Sequence, residues 1–346
     1  MIITLEKQCT TDQRAAIEAV ARGAKLEVHP IIGVNETVLG LVGDFNGRYG
    51  DMFDHFQAMP GVASIQKISK PYKLAGRDMH PADTIVEVGG VKIGDGSLTH
   101  IAGPCAVESE VQIRSIALLV HDAGANVFRG GAFKPRTSPY SFSGLKEDGL
   151  RMLRDAGGEV GMPVVTEVMD TRDVPVVSRY ADILQVGARN MKNFSLLQEV
   201  GQTGMPVMLK RGADATIEDL LMSAEHVLSR RRDREPRLIL CERGVIGFDD
   251  ETRNLTDMSA IPVLHRITHL PVVLDPSHAT GVREYVGPMA LAGVAAGADG
   301  IHIEVHNKPE EALCDGKQSL LPDQYAELIE RMAAVHRAVR GVYPRG

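Results

Sequence analysis

Arg129, Lys134, Arg136, Arg189, Lys210, Arg211 and Arg243 place seven cations in a sequence whose formal net charge is −7. Where they converge, the surface must be basic against the trend of the chain. Arginine grips phosphate and carboxylate with a two-pronged fork and lysine acts as a point charge, so the expected ligands carry several anionic groups, such as two phosphates and a carboxylate. Any one of these cations can pair with a neighbouring acid or face solvent. Seven together call for a shared partner, because charged side chains are seldom buried without one.

Cys105, His278, Glu304 and Asp315 are one each of the side chains that bind borderline divalent metals. Spacing alone does not join them. Taken singly, Cys105 reads equally as a packed thiol, His278 as a hydrogen-bonded loop residue and Asp315 as a turn former before Gly316. Arg230, Arg231 and Arg232 stand among Asp233 and Glu235 and read as a solvated face.

The elements that must position these groups follow from hydrophobic patterning. Over the first 70 residues, Met1 to Glu6 reads as a strand and Asp12 to Gly23 as a helix capped by Thr10 or Thr11. Two strands (Lys25 to Ile31, Thr37 to Gly43), a helix (Tyr49 to Met59) and a last strand (Val62 to Ser69) complete a βαββαβ order, that of a ferredoxin-like domain. Lys70 to Asp83 breaks both periods and is expected as a linker; Gly89-Gly90 between Ile85–Val88 and Val91–Ile93 predicts a tight hairpin.

From residue 99 onward, eight short apolar runs recur: His100 to Cys105, Val127 to Ala132, Pro163 to Val168, Ile183 to Ala188, Pro206 to Arg211, Leu238 to Gly244, Pro271 to Ser277 and Gly300 to Val305. Each interval leaves room for a strand and a crossover helix, and the total matches the roughly 250 residues of a (β/α)8 TIM barrel. The expected organisation is therefore 1–70 ferredoxin-like, 71–98 linker and hairpin, and 99–346 barrel. An open doubly wound sheet is the runner-up, without the glycine-rich loops of its nucleotide-binding forms. Barrel active sites lie at the C-terminal strand ends, and the polar residues named above fall there, joined by Glu167 on the third run and Asp275 after the seventh.

Composition bounds the function. The chain has 346 residues, 44% hydrophobic and 24% charged, enough for a full core. It has no Trp and 4% aromatics, which offers nucleic acid neither stacking platforms nor a basic field. Four unpaired-looking cysteines argue against a disulfide framework. No apolar run is long enough to span a membrane, and acid and base occur within Met1 to Lys7, so the cytoplasm is the expected compartment.

At Gly103-Pro104-Cys105, Lys134-Pro135-Arg136-Thr137-Ser138-Pro139-Tyr140, Gly187-Ala188-Arg189-Asn190, Leu209-Lys210-Arg211-Gly212, Cys241-Glu242-Arg243-Gly244, Asp275-Pro276-Ser277-His278 and Ile303-Glu304-Val305-His306, the sequence resembles the type I beta group of 3-deoxy-D-arabino-heptulosonate 7-phosphate (DAHP) synthases. The first 70 residues and the phrase Lys70-Pro71-Tyr72-Lys73-Leu74 resemble the group's regulatory-domain form. The resemblance implies condensation of phosphoenolpyruvate with erythrose 4-phosphate at the entry to the shikimate pathway, leading to aromatic amino acids. It implies one divalent metal per subunit (Mn, Fe, Co or Zn) on Cys105, His278, Glu304 and Asp315. It implies phosphoenolpyruvate contacts at Arg129, Lys134, Arg189, Lys210 and Arg243, sugar-phosphate contacts at Pro135, Arg136 and Thr137, and a catalytic part for Lys134, Glu167, Cys105 and His278. It further implies feedback inhibition by an aromatic amino acid, Tyr or Phe, and a homotetramer.

The chemistry agrees with that reading. The third carbon of phosphoenolpyruvate is a weak nucleophile, so the acceptor aldehyde must be polarised, and a metal with an open position does this as a Lewis acid. Lys134 is expected to donate a proton to the new alkoxide, its pKa tuned by neighbouring cations. Three rival readings are a 3-deoxy-manno-octulosonate (KDO) 8-phosphate synthase acting on arabinose 5-phosphate, a Schiff-base lyase using Lys210, and an inactive sensor of amino acids. Ala213-Asp214-Ala215-Thr216, which sets an acid beside an anion site, and His302, where an apolar residue is expected, depart from the family pattern. A buried histidine with a hydrogen-bond partner is the simpler reading of His302, and an incidental thiol that of Cys314.

Overall fold

A computed structural model of the chain describes residues 1–32, 37–43, 45, 48–66, 70–134, 140 and 142–341. It divides into two compact units, Met1–Ala82 and Asp83–Gly346.

In the first unit β1 (Ile2–Leu5), α1 (Thr11–Gly23), β2 (Glu27–Ile32), β3 (Thr37–Val42), α2 (Tyr49–Gln57) and β4 (Val62–Gln66) follow the βαββαβ order. The antiparallel sheet runs β2-β3-β1-β4. Thr10 begins α1: its hydroxyl accepts from Gln13 N at 3.2 Å while Gln13 Oε1 accepts from Thr10 N at 2.9 Å. Strand alternation sends Ile3, Leu39 and Leu41 to one face, where they pack with Ile17, Ala21 and Phe56. Ile2 and Val38 go to the other and meet Leu74 and Met79. The segment after Pro71, expected as a linker, thus lays apolar side chains on the sheet's second face.

The second unit opens with the hairpin β5 (Val86–Val88) and β6 (Val91–Ile93), turning at Gly89 (φ +53°) and Gly90 (φ +81°), both left-handed as the two-residue turn requires. Eight strands follow: β7 (Thr99–Gly103), β8 (Val127–Arg129), β9 (Val164–Glu167), β10 (Ile183–Val186), β11 (Val207–Lys210), β12 (Leu238–Glu242), β13 (Val272–Leu274) and β14 (Gly300–Glu304). Each pairs in parallel with the next, and β14 pairs with β7 to close the barrel. Every expected run coincides with one strand, β7 starting one residue before its run, but the strands stop early, and the last residues of each run form the loops that carry the site. No helix among the described residues is long and apolar enough to cross a membrane.

Inward residues change character along each strand. Val127, Val165, Ile183, Met208 and Val273 form one apolar layer with Val86 and Ile93 of the hairpin. Two positions further on, the same faces carry Arg129, Glu167, Gln185, Lys210 and Asp275. The floor is built for burial and the mouth for chemistry. β7 makes its room at the mouth with Gly103, whose φ is +151° and where a Cβ would lie 2.0 Å from Arg129 O. Gly103→Ala must push β8 outward and is expected to cost about 2 kcal/mol or more. The check is a lower urea midpoint at unchanged m-value.

Candidate metal centre and anion-binding cleft

Four elements converge on one point at the barrel mouth. Cys105 follows β7, Glu304 ends β14, and His278 sits in a short helix (Pro276–Thr280) whose first turn is held by Asp275 Oδ1 accepting from His278 N at 2.9 Å. Asp315 adopts a left-handed φ of +51° at the start of the turn Gly316–Gln318. One ligand atom from each of Cys105, His278, Glu304 and Asp315 can be chosen so that all four lie within 4.8 Å of one another. A thiol, an imidazole and two carboxylates suit a borderline divalent ion.

The surroundings orient these donors as a metal would need. His278 Nδ1 lies 2.7 Å from Asp275 Oδ2, which leaves Nε2, 3.4 Å from Glu304 Oε1, facing the cluster. Glu304 Oε1 accepts from Arg129 Nη1 at 2.7 Å and Oε2 from Gln318 Nε2 at 2.6 Å. Burial works against the Glu304 carboxylate, yet the His278, Arg129 and Lys134 charges overcome it and hold the group at about 2. Burial likewise opposes Asp275, but His278 and Lys210 keep it well below the usual carboxylate range. Before a metal binds, the hydrogen bond to Cys314 and then burial push the Cys105 thiol well up.

Beside the cluster opens a cleft of about 360 Å³ lined by Arg129, Lys134, Arg189, Lys210, Arg243 and Glu167. Lys134 Nζ lies 3.1 Å from Cys105 Sγ. Burial opposes its charge, but the Cys105 and Cys314 sulfurs outweigh burial and raise it above its ordinary value, opposite to the tuning by cations expected from sequence. Lys210 Nζ pairs with Asp275 Oδ2. Arg243 Nη2 and Asn254 Nδ2 both donate to His278 O, at 3.2 and 3.1 Å, bracing the helix that carries the imidazole. The Glu167 carboxylate lies where Gly187 leaves space, since a Cβ there would sit 2.0 Å from Oε1.

Other expectations are corrected. Arg211 does not line the cleft: its Nη1 donates to Glu242 Oε2 at 2.8 Å and to Asp257 Oδ2 at 2.9 Å. Arg231, expected on a solvated face, is buried and donates to the carbonyls of Met205 and Gly204 at 2.9 and 2.7 Å. His302 is buried as expected, but neither ring nitrogen makes a directed hydrogen bond. Cys314 is part of the site, with its Sγ 2.9 Å from that of Cys105. Pro135, Arg136 and Thr137 lie outside the described residues.

Sequence reasoning missed Gln185, Arg253 and Asn254, all on the cleft, and Gln318. Gln185 carries a signal in hindsight, a polar residue at the inward position of an apolar run. Arg253, which donates to Gln318 Oε1 at 3.1 Å and lies 3.7 Å from Asp315 Oδ1, comes from a loop with no periodic pattern.

Comparison with known proteins places these features. The family described as DAHP synthetase I matches residues 76–340, and the DAHP synthase ferredoxin-like domain matches residues 1–70. Over 332 residues the sequence is 45% identical to the phospho-2-dehydro-3-deoxyheptonate aldolase of Thermotoga maritima, covering 96% of each chain. A crystal structure of the phospho-2-dehydro-3-deoxyheptonate aldolase (DAHP synthase) from Thermotoga maritima matches with a TM-score of 0.77 at 44% identity, covering 98% of this chain and 97% of that one. The 2-dehydro-3-deoxyphosphooctonate aldolase of Syntrophobacter fumaroxidans is 34% identical, over 74% of this chain and 93% of its own.

The position of Arg211 yields a direct check. Arg211→Met removes the cation paired with the fully buried Glu242 carboxylate, and breaking a buried pair in this way costs about 3–5 kcal/mol. Urea unfolding should show that loss while the affinity for Co²⁺, titrated spectroscopically, stays unchanged.

Proposed function

The chain belongs to the DAHP synthetase I family, and we propose that its barrel condenses phosphoenolpyruvate with erythrose 4-phosphate, releasing inorganic phosphate and DAHP. The observation that supports this most is the position of the Cys105, His278, Glu304 and Asp315 cluster beside a cleft lined by six arginine and lysine side chains. Those four residues would hold one divalent metal; the donor set leaves Mn, Fe, Co and Zn as candidates. Bound there, the metal supplies Lewis acidity toward the acceptor's carbonyl.

The remaining work falls to the chain's own residues. Arg129, Lys134, Arg189, Lys210 and Arg243 grip the phosphate and carboxylate of phosphoenolpyruvate and turn its third carbon toward the acceptor. Fixing both anions converts a bimolecular encounter into an oriented one, an advantage of up to about 7–11 kcal/mol in favourable cases. Pro135, Arg136 and Thr137 hold the far phosphate of the sugar. Lys134 keeps its proton until a strong base appears beside it, and the alkoxide formed by carbon–carbon bond formation is such a base. Glu167, facing the cleft across Gly187, orients the water that adds to the second carbon before phosphate leaves.

Metal dependence is tested by chelation: protein stripped of metal is expected to be inactive and to recover when Mn²⁺ or Co²⁺ is restored. Cys105→Ala and His278→Ala are expected to fold normally, to lose turnover and to lose the Co²⁺ absorption of the native protein. Full activity in stripped protein would overturn the assignment. Acceptor choice is read from kcat/KM: erythrose 4-phosphate should be favoured over arabinose 5-phosphate by about 100-fold or more. Arg136→Ala should raise the acceptor's KM far more than that of phosphoenolpyruvate. Equal use of both sugars would move the assignment to the octulosonate branch of the relatives.

We also propose that residues 1–70 restrain the barrel when Tyr or Phe is bound, which requires a coupling of only about 1–3 kcal/mol. Thr84 N and Oγ1 bond His269 O and Nδ1 within the second unit, at 2.8 and 2.6 Å, so a truncation is best made before Asp83. That shortened chain is expected to stay active and to lose inhibition by millimolar Tyr or Phe. Inhibition surviving the truncation would rule the domain out as the sensor.

A further inference from the structure

Inward positions on the barrel strands read apolar first and polar second: Val127 then Arg129, Val165 then Glu167, Ile183 then Gln185, Met208 then Lys210, Val273 then Asp275. β14 breaks the order, because the residue two before Glu304 is His302, which is fully buried. A buried imidazole without a directed hydrogen bond is costly, and the apolar residue used on the other strands would avoid that cost. Its Nδ1 nevertheless lies 3.2 Å from Asp275 Oδ2, off the axis of a good hydrogen bond.

That oxygen is already engaged. His278 Nδ1 approaches it at 2.7 Å, and Lys210 Nζ is its other cationic partner. Lys210 also lines the cleft. When Lys210 turns toward a substrate anion, Asp275 remains shielded from water and loses its ammonium partner, which opposes the movement. A donor waiting beside the same oxygen lowers that opposition.

We propose that His302 is a positioning residue that takes over at Asp275 Oδ2 as Lys210 is drawn to phosphoenolpyruvate, so that it strengthens substrate binding without touching the substrate. No proton changes hands: the ring rotates slightly, and its Nδ1–H replaces one of the ammonium hydrogens. The proposal rests on the reading of Lys210 as a phosphoenolpyruvate contact.

The test is calorimetric titration of the metal-loaded, full-length protein with phosphoenolpyruvate. His302→Leu is expected to weaken binding about tenfold, the size of one hydrogen bond to a charged group. Its metal affinity and folding should be unimpaired. His302→Gln, which keeps a donor, is expected to bind close to the native protein. In native protein labelled with ¹⁵N-histidine, the His302 N–H resonance should shift downfield on saturation with phosphoenolpyruvate, a readout that survives any failure of a variant to fold. Lys210→Met separates the two readings. Normal binding by that variant overturns the Lys210 contact and the handover with it. Weak binding by Lys210→Met together with native binding by His302→Leu, or an unmoved His302 resonance, overturns the handover alone.

Discussion

Glu304 and Asp275 are wholly shielded from solvent, and an isolated carboxylate in such a place takes up a proton rather than stay charged. Both stay ionised because partners were brought to them: Arg129 and Gln318 to Glu304, Lys210 to Asp275, and His278 to each. The requirement spreads outward. Arg129 must end β8 opposite Glu304, Gly103 must yield space for that strand's carbonyl, and the His278 helix must begin at Asp275. Buried ion pairs of this kind return little net stability. The apolar layer below supplies it instead, each fully buried Val, Ile or Met contributing about 1.5–3 kcal/mol. The β5–β6 hairpin packs Val86 and Ile93 into that layer. The barrel therefore separates its tasks by depth, with cohesion at the floor and charge at the mouth.

The same depth rule explains what the sequence could reveal. Strand positions were legible because buried parallel strands read as short apolar runs, and the charged residues at their ends marked the mouth. Lys210 and Arg211 show the limit of counting charges: consecutive residues on a strand face opposite sides, so only Lys210 reaches the cleft and Arg211 turns toward Glu242 and Asp257. Period two was available to make that distinction. No period joins Cys105 to Asp315, however, since they meet only through closure of β14 against β7 and a left-handed turn at Asp315. Residue type and strand-end position made them candidates for one site, and the resemblance joined them. Arg231 was misread because the carbonyls that receive it come from a turn some 26 residues away, which no local pattern reports.

The electrostatics also decide among chemical roles. A nucleophilic lysine must present a free amine, but Lys210 Nζ is tied in an ion pair to the buried Asp275 carboxylate. A nucleophilic cysteine needs a depressed pKa, whereas the Cys105 thiol is pushed up by Cys314 and burial. Neither fits covalent catalysis. Lys134, raised by the sulfurs next to it, is a weak acid, suited to an alkoxide and wasteful with anything less basic. These three observations point the same way, toward a site that holds anions and places charge beside a cluster of potential metal ligands.

If the site works in that way, discrimination between acceptor sugars cannot lie in the machinery described. The relatives named for heptonate and octonate products match 96% and 74% of this chain, so likeness over most of the chain does not separate the two acceptors. The two acceptors differ by one carbon, and a pocket that merely fits or excludes such a unit gains only about 1–3 kcal/mol. An arginine set at a fixed distance from the aldehyde does more, because a phosphate carried past it loses a charge-assisted, two-pronged contact. Length is then converted into charge misplacement, which is harder to compensate than a void. If Arg136 is that arginine, as the resemblance implies, selectivity rests on the charge carried by the Lys134 to Thr137 phrase and not on the metal ligands, which meet the aldehyde end alone.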